Sequence, residues 1–246
     1  MTNNGERIAK RMAAAGICSR REAEGLIAEG RVKVNGRCIS SPALNVVPED
    51  VVMVDGVTLA TARRAPALWA LYKPTGYITS RRDPSGIPTV FSLLPVDLPR
   101  LISVGRLDVA SEGLLLFTTS GALARALELP KHALPRTYRV RVNGTPSDAQ
   151  LAQLARGMTI DGIRYRGAKV VLDKSQATGR NRWLTVTLTE GKNREIRRLF
   201  AHLGLPVSRL IRTGFAGVTL GDMPPGHLRK IPAAVTEKLA QKLGVF

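Results

Sequence analysis

The sequence VGRLDVASEGLLLFTT, residues 104–119, predicts a loop that runs into a buried strand. Gly105 and Gly113 free the backbone on either side of an acidic residue, Asp108. The apolar run Leu114–Phe117 is short and uninterrupted, which favours a strand covered on both faces, although periodicity alone also permits a helix. Asp108 is therefore expected beside a core, either as a turn residue that bonds nearby amides or as a catalytic group.

The segments around this loop alternate between strand and helix patterns. Arg136–Val142 alternates strictly and places Tyr138 on one face with Val140 and Val142. Ile196, Leu199 and Phe200 share one face of a later helix. The strands alternate with short helices and hairpins and lack regular βαβ spacing. This indicates an α+β fold with a mixed, mostly antiparallel sheet.

The first sixty residues predict a separate small module. Ser19 and Glu22 form a capping box that begins a second helix after a first one at 7–15, and Asn35-Gly36 is a hairpin turn signal. Two helices followed by a small sheet give a small α/β module at 1–60 with little core. We place a linker at 61–66 and a larger domain at 67–246.

Charge is the strongest compositional signal. The chain has 37 basic and 19 acidic residues, a net charge of +18, and the first sixty residues contribute only +1 of it. Such an excess predicts a polyanionic partner. No apolar run approaches the roughly 20 residues of a membrane span, and we expect neither a signal peptide nor a membrane partner. Two cysteines make neither a disulfide framework nor a four-ligand metal site.

Several stretches of residues 67–246 resemble the RsuA/RluB/RluE/RluF family of RNA pseudouridine synthases. They are KPTG at 73–76, PTVFSLLP at 88–95, GRLD at 105–108, RTYRVRV at 136–142 and EGKNREIRRLF at 190–200. The resemblance implies that Asp108 is the essential catalytic residue, that Tyr138 stacks on the target base, and that Arg197 pairs with Asp108. It also implies that Arg106 fills the space that the base leaves in the RNA.

The N-terminal stretch GICSRREAEGLIAEGRVKVNG, residues 16–36, resembles the S-four-type RNA-binding domain. In that family the basic helix surface contacts RNA phosphates, which give affinity without sequence information. A solvated surface charge remains the alternative for each basic residue. The expected RNA-binding residues are, besides Arg106, the following: Lys10, Arg20, Arg21, Arg31, Lys33, Arg81, Arg82, Arg136, Arg194 and Arg198.

The resemblance predicts an isomerase that converts a uridine of ribosomal RNA to pseudouridine during rRNA processing and ribosome biogenesis, with 23S RNA as the substrate. The Asp83–Phe91 run, FTTSG and EGKNREIRRLF look most like the branch that modifies 23S RNA. The alternatives are the same enzyme acting on 16S RNA, a non-catalytic assembly factor, and a structural DNA-binding protein. We expect a cytoplasmic monomer without cofactor or metal, since neither nucleotide-binding motifs nor histidine ligand spacing are present.

Overall fold

The structure is a computed structural model that describes residues 5–60, 65–178 and 180–245. Of the predicted linker at 61–66, positions 61–64 lie outside the described residues. Contacts divide the chain into two compact units. The first unit is Met1–Pro66 with 97–101 and 119–121, and the second is made of 67–96, 102–118 and 122–246. None of the helices in the described ranges is long and apolar enough to cross a membrane.

The first unit packs two short helices on a four-stranded antiparallel sheet and a separate pair of short antiparallel strands. Ser19 caps the second helix by accepting from the Glu22 backbone, while the Glu22 carboxylate accepts from the Ser19 N–H. Asn35 and Gly36 take positive φ values of 49° and 81° in the predicted hairpin turn. The elements are β1 (Glu6–Arg7), α1 (Ile8–Ala14), α2 (Arg20–Ala28), β2 (Val32–Val34), β3 (Arg37–Cys38), β4 (Asn45–Val46), β5 (Val52–Val54) and β6 (Val57–Thr58).

The second unit is built around a sheet that has nine strands in the part of the chain that the structure describes. Its strands are β7 (Leu68–Lys73), β8 (Ile102–Val104), β9 (Glu112–Thr118), β10 (Arg136–Asn143), β13 (Lys169–Thr178), β14 (Asn181–Leu188), β15 (Val207–Phe215), β16 (Val218–Thr219) and β17 (Leu228–Lys230). The order is β13-β14-β10-β15-β9-β7-β17, with β16 on β15 and β8 on β9. The pair β15–β9 is parallel, and the other pairs are antiparallel.

Helices cover both faces of this sheet. They are α3 (Gly121–Glu128), α4 (Asp148–Arg156), α5 (Glu195–His202) and α6 (Ala233–Lys242), and a separate hairpin joins β11 (Met158–Ile160) to β12 (Ile163–Tyr165). Leu210 packs in the cluster that includes α4 and α5, whereas its neighbour Ile211 packs against the cluster of α3 and α6. Because successive side chains of a strand point to opposite faces, the two cores lie on opposite sides of the sheet.

The predicted α+β class with a mixed, mostly antiparallel sheet is confirmed. Leu114–Phe117 is a strand, and every residue of β9 is buried. The sequence analysis did not anticipate β15, although this strand links the two halves of the sheet by pairing with β10 and β9. Its four basic and polar side chains among nine residues hide the alternation that marks a half-buried strand.

Gly113 is the point of closest backbone approach between β9 and β15. Its φ is +103°, and a Cβ built on it would lie 2.4 Å from the carbonyl oxygen and 2.7 Å from the nitrogen of Arg212. Such distances between a Cβ and backbone atoms require the strands to separate. A glycine at this position therefore permits the parallel pairing that carries the Asp108 loop into the sheet.

We predict that Gly113→Ala lowers the free energy of unfolding by about 3 kcal/mol or more, because it adds a steric clash to an unfavourable φ. Gly221→Ala is the matched control: Gly221 also has a positive φ, +62°, but open space around its Cβ position. Strain alone should cost the control about 1 kcal/mol. Denaturant unfolding measures both variants, and equal losses would contradict a role for close packing at Gly113.

Candidate active site

A cleft of about 610 Å³ opens in the second unit beside the loop between β8 and β9. It brings together Asp108 from this loop and Tyr138 from β10. Leu188, Ile196 and Leu210 give it an apolar floor that belongs to the core of α4 and α5. Three of the predicted RNA-binding residues also line it: Arg106, Arg136 and Arg194.

The backbone of the Asp108 loop is fixed by hydrogen bonds to five consecutive carbonyls, those of residues 107–111. Their donors come from the loop itself and from separate elements of the unit: the Thr79 hydroxyl to Leu107 (3.0 Å), Ser111 N–H to Asp108 (3.0 Å), Gly76 N–H to Val109 (2.9 Å), Arg197 Nη2 to Ala110 (2.9 Å) and Lys73 Nζ to Ser111 (2.8 Å). The loop is thus held from several sides, which fixes the position of the Asp108 side chain.

Among the side chains that donate to this loop, that of Lys73 has no exposed surface. Its ammonium donates to the carbonyls of Pro74 at 2.9 Å and Ser111 at 2.8 Å, so that it ties the end of β7 to the loop. Burial lowers the pKa of Lys73 to about 8, and the charges of Asp108 and Glu112 oppose this shift. The KPTG motif therefore contributes a charged anchor as well as a turn.

Arg197 does not form the predicted ion pair with Asp108, since no ion pair within 4.0 Å joins the two among the described residues. Its guanidinium instead donates to the carbonyls of Ala110 at 2.9 Å and Val207 at 3.1 Å. Burial and the nearby Arg194 lower the pKa of Arg197, while the charge of Asp108 raises it. Arg197 is therefore close enough to interact electrostatically with Asp108, but it holds the loop through the backbone.

The Asp108 carboxylate is half-buried and faces the cleft. Within the described ranges it makes no hydrogen bond, and only its backbone carbonyl is engaged, by Ser111. An ionised carboxylate has about four acceptor positions. All of them remain available to a molecule that enters the cleft.

An aromatic and two guanidinium groups lie next to Tyr138. The guanidinium carbon of Arg136 is 4.8 Å from the centre of the Phe215 ring, and that of Arg212 is 5.2 Å from it. Arg136 also donates to the Leu134 carbonyl at 2.9 Å. Burial, followed by repulsion from Arg212, lowers the pKa of Arg136. The cleft therefore combines apolar surface for a flat ring with positive charge.

The segment from β14 to α5 is held by two buried acids, Glu190 and Glu195. Glu195 Oε2 accepts from the Lys192 N–H at 3.0 Å, whereas its Oε1 is buried without a hydrogen-bond partner. Glu190 accepts from the Arg166 N–H at 2.8 Å and pairs with the Lys192 ammonium. Burial and the neighbouring Glu190 carboxyl raise the pKa of Glu195, which favours a proton on its unpaired oxygen.

We predict that this proton makes stability depend on pH. A carboxyl whose pKa is raised in the folded state stabilises most fully below its unfolded value, near 4.5, and the contribution is lost as the pH rises through the folded pKa. The free energy of unfolding should therefore fall with pH above 4.5, and Glu195→Gln should flatten this fall. Chemical denaturation at a series of pH values above 4.5 measures the free energy of unfolding of both proteins. The Glu237→Gln variant, changed at an exposed position, is the control. The same slope in Glu195→Gln and wild type would contradict the assignment.

The other predicted RNA-binding residues lie outside the cleft. Arg81 and Arg82 are exposed, and Arg81 stacks on Phe91 with its guanidinium carbon 4.3 Å from the ring centre. Exposed Arg198 reaches the Tyr165 hydroxyl at 3.5 Å. In the first unit, Arg31 already forms ion pairs with Asp55 and Glu29. The remaining basic residues predicted there are exposed: Lys10, Arg20, Arg21 and Lys33.

Two residues at the site were not predicted as functional. Lys73 was part of the KPTG stretch, in which the sequence analysis assigned no role to a single residue, and the burial of its ammonium appears only in the fold. Arg212 was missed because β15 was missed. The sequence VSRLIRTGF does show two arginines, Arg209 and Arg212. Their spacing, however, does not tell which of the two is exposed and which is buried.

The comparisons with known proteins identify the family of this chain. Residues 67–202 match the family model of RNA pseudouridylate synthases, and residues 6–52 match the S4 domain. The first match covers more than half of the chain and contains Asp108, Tyr138 and Arg197. The chain belongs to the RNA pseudouridylate synthase family, and it is an enzyme that isomerises uridine in RNA.

Relatives are similar over nearly the whole length. A Rickettsia felis protein named an RNA pseudouridine synthase is 47% identical over 95% of this chain and 100% of its own. The Escherichia coli K12 ribosomal large subunit pseudouridine synthase B is 41% identical over 96% of this chain and 82% of its own. A pseudouridylate synthase crystal structure has a TM-score of 0.67 at 28% identity, covering 95% of this chain and 99% of that chain.

Proposed function

We propose that this enzyme converts a uridine of 23S ribosomal RNA to pseudouridine. The observation that carries the proposal is the 41% identity to the Escherichia coli large subunit enzyme over 96% of this chain. The net charge of +18 supports a large anionic RNA as substrate. The exposed uridine of a loop or bulge suits such an enzyme, because its base can be splayed out at low cost.

In this proposal Asp108 acts on the sugar of the target uridine, either as the nucleophile or as the base that takes a sugar proton. Its free carboxylate in a cleft lined by cations supports either role. The C–N glycosidic bond breaks, the base turns, and it rejoins the sugar through C5. The C5 proton is then lost and N1, which no longer bonds the sugar, takes up a proton, so the reaction is an isomerisation without net change in composition.

Tyr138 holds the base by stacking and assists in removing the C5 proton. Arg197 supports catalysis by fixing the loop through the Ala110 carbonyl and by its charge near Asp108. The target base must leave its stack to reach Asp108, and exposed Arg106 at the cleft occupies the space it vacates.

Phosphate contacts position the RNA on both units. Arg136 and Arg194 lie at the cleft, and Arg81, Arg82 and Arg198 extend the basic surface of the second unit. In the first unit, exposed Arg20, Arg21 and Lys33 take this role, together with Lys10 and Arg31 if the RNA displaces their acidic partners. We propose that the enzyme works as a monomer in the cytoplasm, where ribosomal RNA is assembled with its proteins.

We predict that Asp108→Asn abolishes pseudouridine formation, with a loss of at least about 1000-fold, while RNA affinity stays within a few-fold of wild type. The amide has the same shape but can act neither as a nucleophile nor as a base. Single-turnover rates and filter binding measure the two quantities. Asp222→Asn, at an exposed position, is the matched control. Residual activity near the wild-type rate would remove Asp108 from the mechanism.

The substrate assignment is tested by offering unmodified 23S and 16S RNA in separate reactions and mapping pseudouridine in each. We expect modification of one or a few uridines in 23S RNA and none in 16S RNA. Modification confined to 16S RNA would overturn the substrate and leave the enzyme class intact. The Asp108→Asn variant in parallel reactions shows that any product depends on this cleft.

A further inference from the structure

Arg212 on β15 is a buried arginine that lines the cleft with most of its donors unused. Its side chain is 3% exposed, and its Nε donates to the Leu114 carbonyl at 2.7 Å. Within the described residues neither Nη1 nor Nη2 makes a hydrogen bond, and Nη2 is buried. A guanidinium has five N–H donors, so four of them lack a partner in the protein.

No acidic side chain of the described residues forms an ion pair with Arg212. Its contact with the Phe215 ring, at 5.2 Å, offers only a weak attraction, and the half-buried Arg136 shares the same ring at 4.8 Å. Burying a charge and several donors without partners is costly. An arrangement of this kind is expected where a ligand supplies the missing acceptor.

The register of the sheet places Arg212 next to the residue that holds the base. Tyr138 on β10 pairs with Arg212 on β15, and paired residues of neighbouring strands point to the same face of a sheet. Both side chains line the cleft with Asp108. A base stacked on Tyr138 therefore presents an edge within reach of a long arginine side chain.

We propose that Arg212 binds the target base, by donating from its free N–H groups to a carbonyl oxygen of uracil. The inference rests on the proposed function, in which Tyr138 stacks on that base. A carbonyl fits better than a phosphate because Arg212 is almost fully buried, whereas the exposed Arg194 is placed for phosphates. A phosphate at this depth would also lose its hydration and need several further donors.

The contact also fits the chemistry of the reaction. When the glycosidic bond breaks, the bonding electron pair stays on the base, and part of the negative charge appears on its carbonyl oxygens. A fixed guanidinium beside such an oxygen interacts more strongly with the separated base than with the intact nucleotide, which lowers the barrier. The hydrogen bond adds no covalent step of its own.

The test is a double-mutant cycle between enzyme and substrate. The target uridine, in an RNA that the wild-type enzyme modifies, is replaced by 2-thiouridine or by 4-thiouridine, because sulfur is a weaker acceptor than oxygen. Single-turnover rates at saturating RNA are compared for wild type and Arg212→Lys, with Arg212→Gln used if the lysine variant has a lowered melting temperature. Arg229→Lys is the matched control, since exposed Arg229 also donates to one backbone carbonyl, that of Thr219.

We expect one of the two thio substitutions to slow the wild type and the Arg229→Lys control by about tenfold or more, the usual effect of a hydrogen bond to a charged group. Arg212→Lys should be slowed about as much on unmodified RNA and should show no further loss with that thio substrate. Which substitution has this effect identifies the bonded oxygen.

Equal slowing of wild type and Arg212→Lys by both thio substrates would overturn the proposal, because it would show no coupling between residue and base. The absence of any thio effect in the wild type would overturn it as well. A third substrate carries an uncharged methylphosphonate in place of the phosphate at the target nucleotide. If Arg212→Lys shows no coupling to the thio substitutions but does show coupling to the methylphosphonate, Arg212 binds a phosphate and the proposal is overturned. The experiment uses any RNA that the wild-type enzyme modifies. Its result can therefore be interpreted even if the natural substrate proves not to be 23S RNA.

Discussion

The position of Asp108 depends on the hydrogen bonds that its loop accepts from distant parts of the second unit. Five consecutive carbonyls, those of residues 107–111, receive donors from β7, the segment after it, α5 and the loop itself. A loop in water would satisfy these groups with solvent and sample many conformations. Because these carbonyls are bound inside the protein, the loop is fixed while the Asp108 carboxylate faces the cleft.

An ion pair between buried Glu112 and exposed Arg209 connects this loop to the strand that carries Arg212. Arg209 on β15 donates to both oxygens of Glu112, at 2.6 and 3.1 Å, and the Tyr72 hydroxyl donates to the same carboxylate at 2.9 Å. The Arg209 hydrogen bonds are the largest cause of the lowered pKa of Glu112, which keeps it ionised. The strands β7, β9 and β15 are therefore joined at the base of the Asp108 loop by side chains as well as by sheet hydrogen bonds.

Positive charge in the cleft and at the Asp108 loop is arranged by depth. Arg106 and Arg194 are exposed, Arg136 is half-buried, and Arg212 and Lys73 are almost fully buried. Lys73 donates to the backbone carbonyls of Pro74, Val109 and Ser111, whereas Arg212 donates to the carbonyl of Leu114 alone among the described residues. This gradient suits a substrate whose phosphates stay near the surface while one base enters the interior.

Local sequence was sufficient for the elements that depend on short-range rules. The capping box at Ser19, the hairpin at Asn35-Gly36, the buried strand after Gly113 and the helix of Ile196, Leu199 and Phe200 are all present. The resemblance to a known family also identified Asp108 and Tyr138, which the fold brings to one cleft. Such local elements can be recognised from the sequence because turns, caps and apolar periodicity involve residues only a few positions apart.

The sequence by itself determined the fold class, the anionic partner and the residues that carry the motifs. Only the tertiary structure decided which donors hold the Asp108 loop, why Gly113 must be a glycine, and that Arg197 binds the Ala110 carbonyl instead of the Asp108 carboxylate. It alone also placed Arg212 next to Tyr138, with four of its five N–H donors lacking a partner among the described residues. The physical reason is that burial and hydrogen-bond partners are set by segments about 90 to 100 residues apart, whose contacts no local pattern of charge or hydrophobicity records.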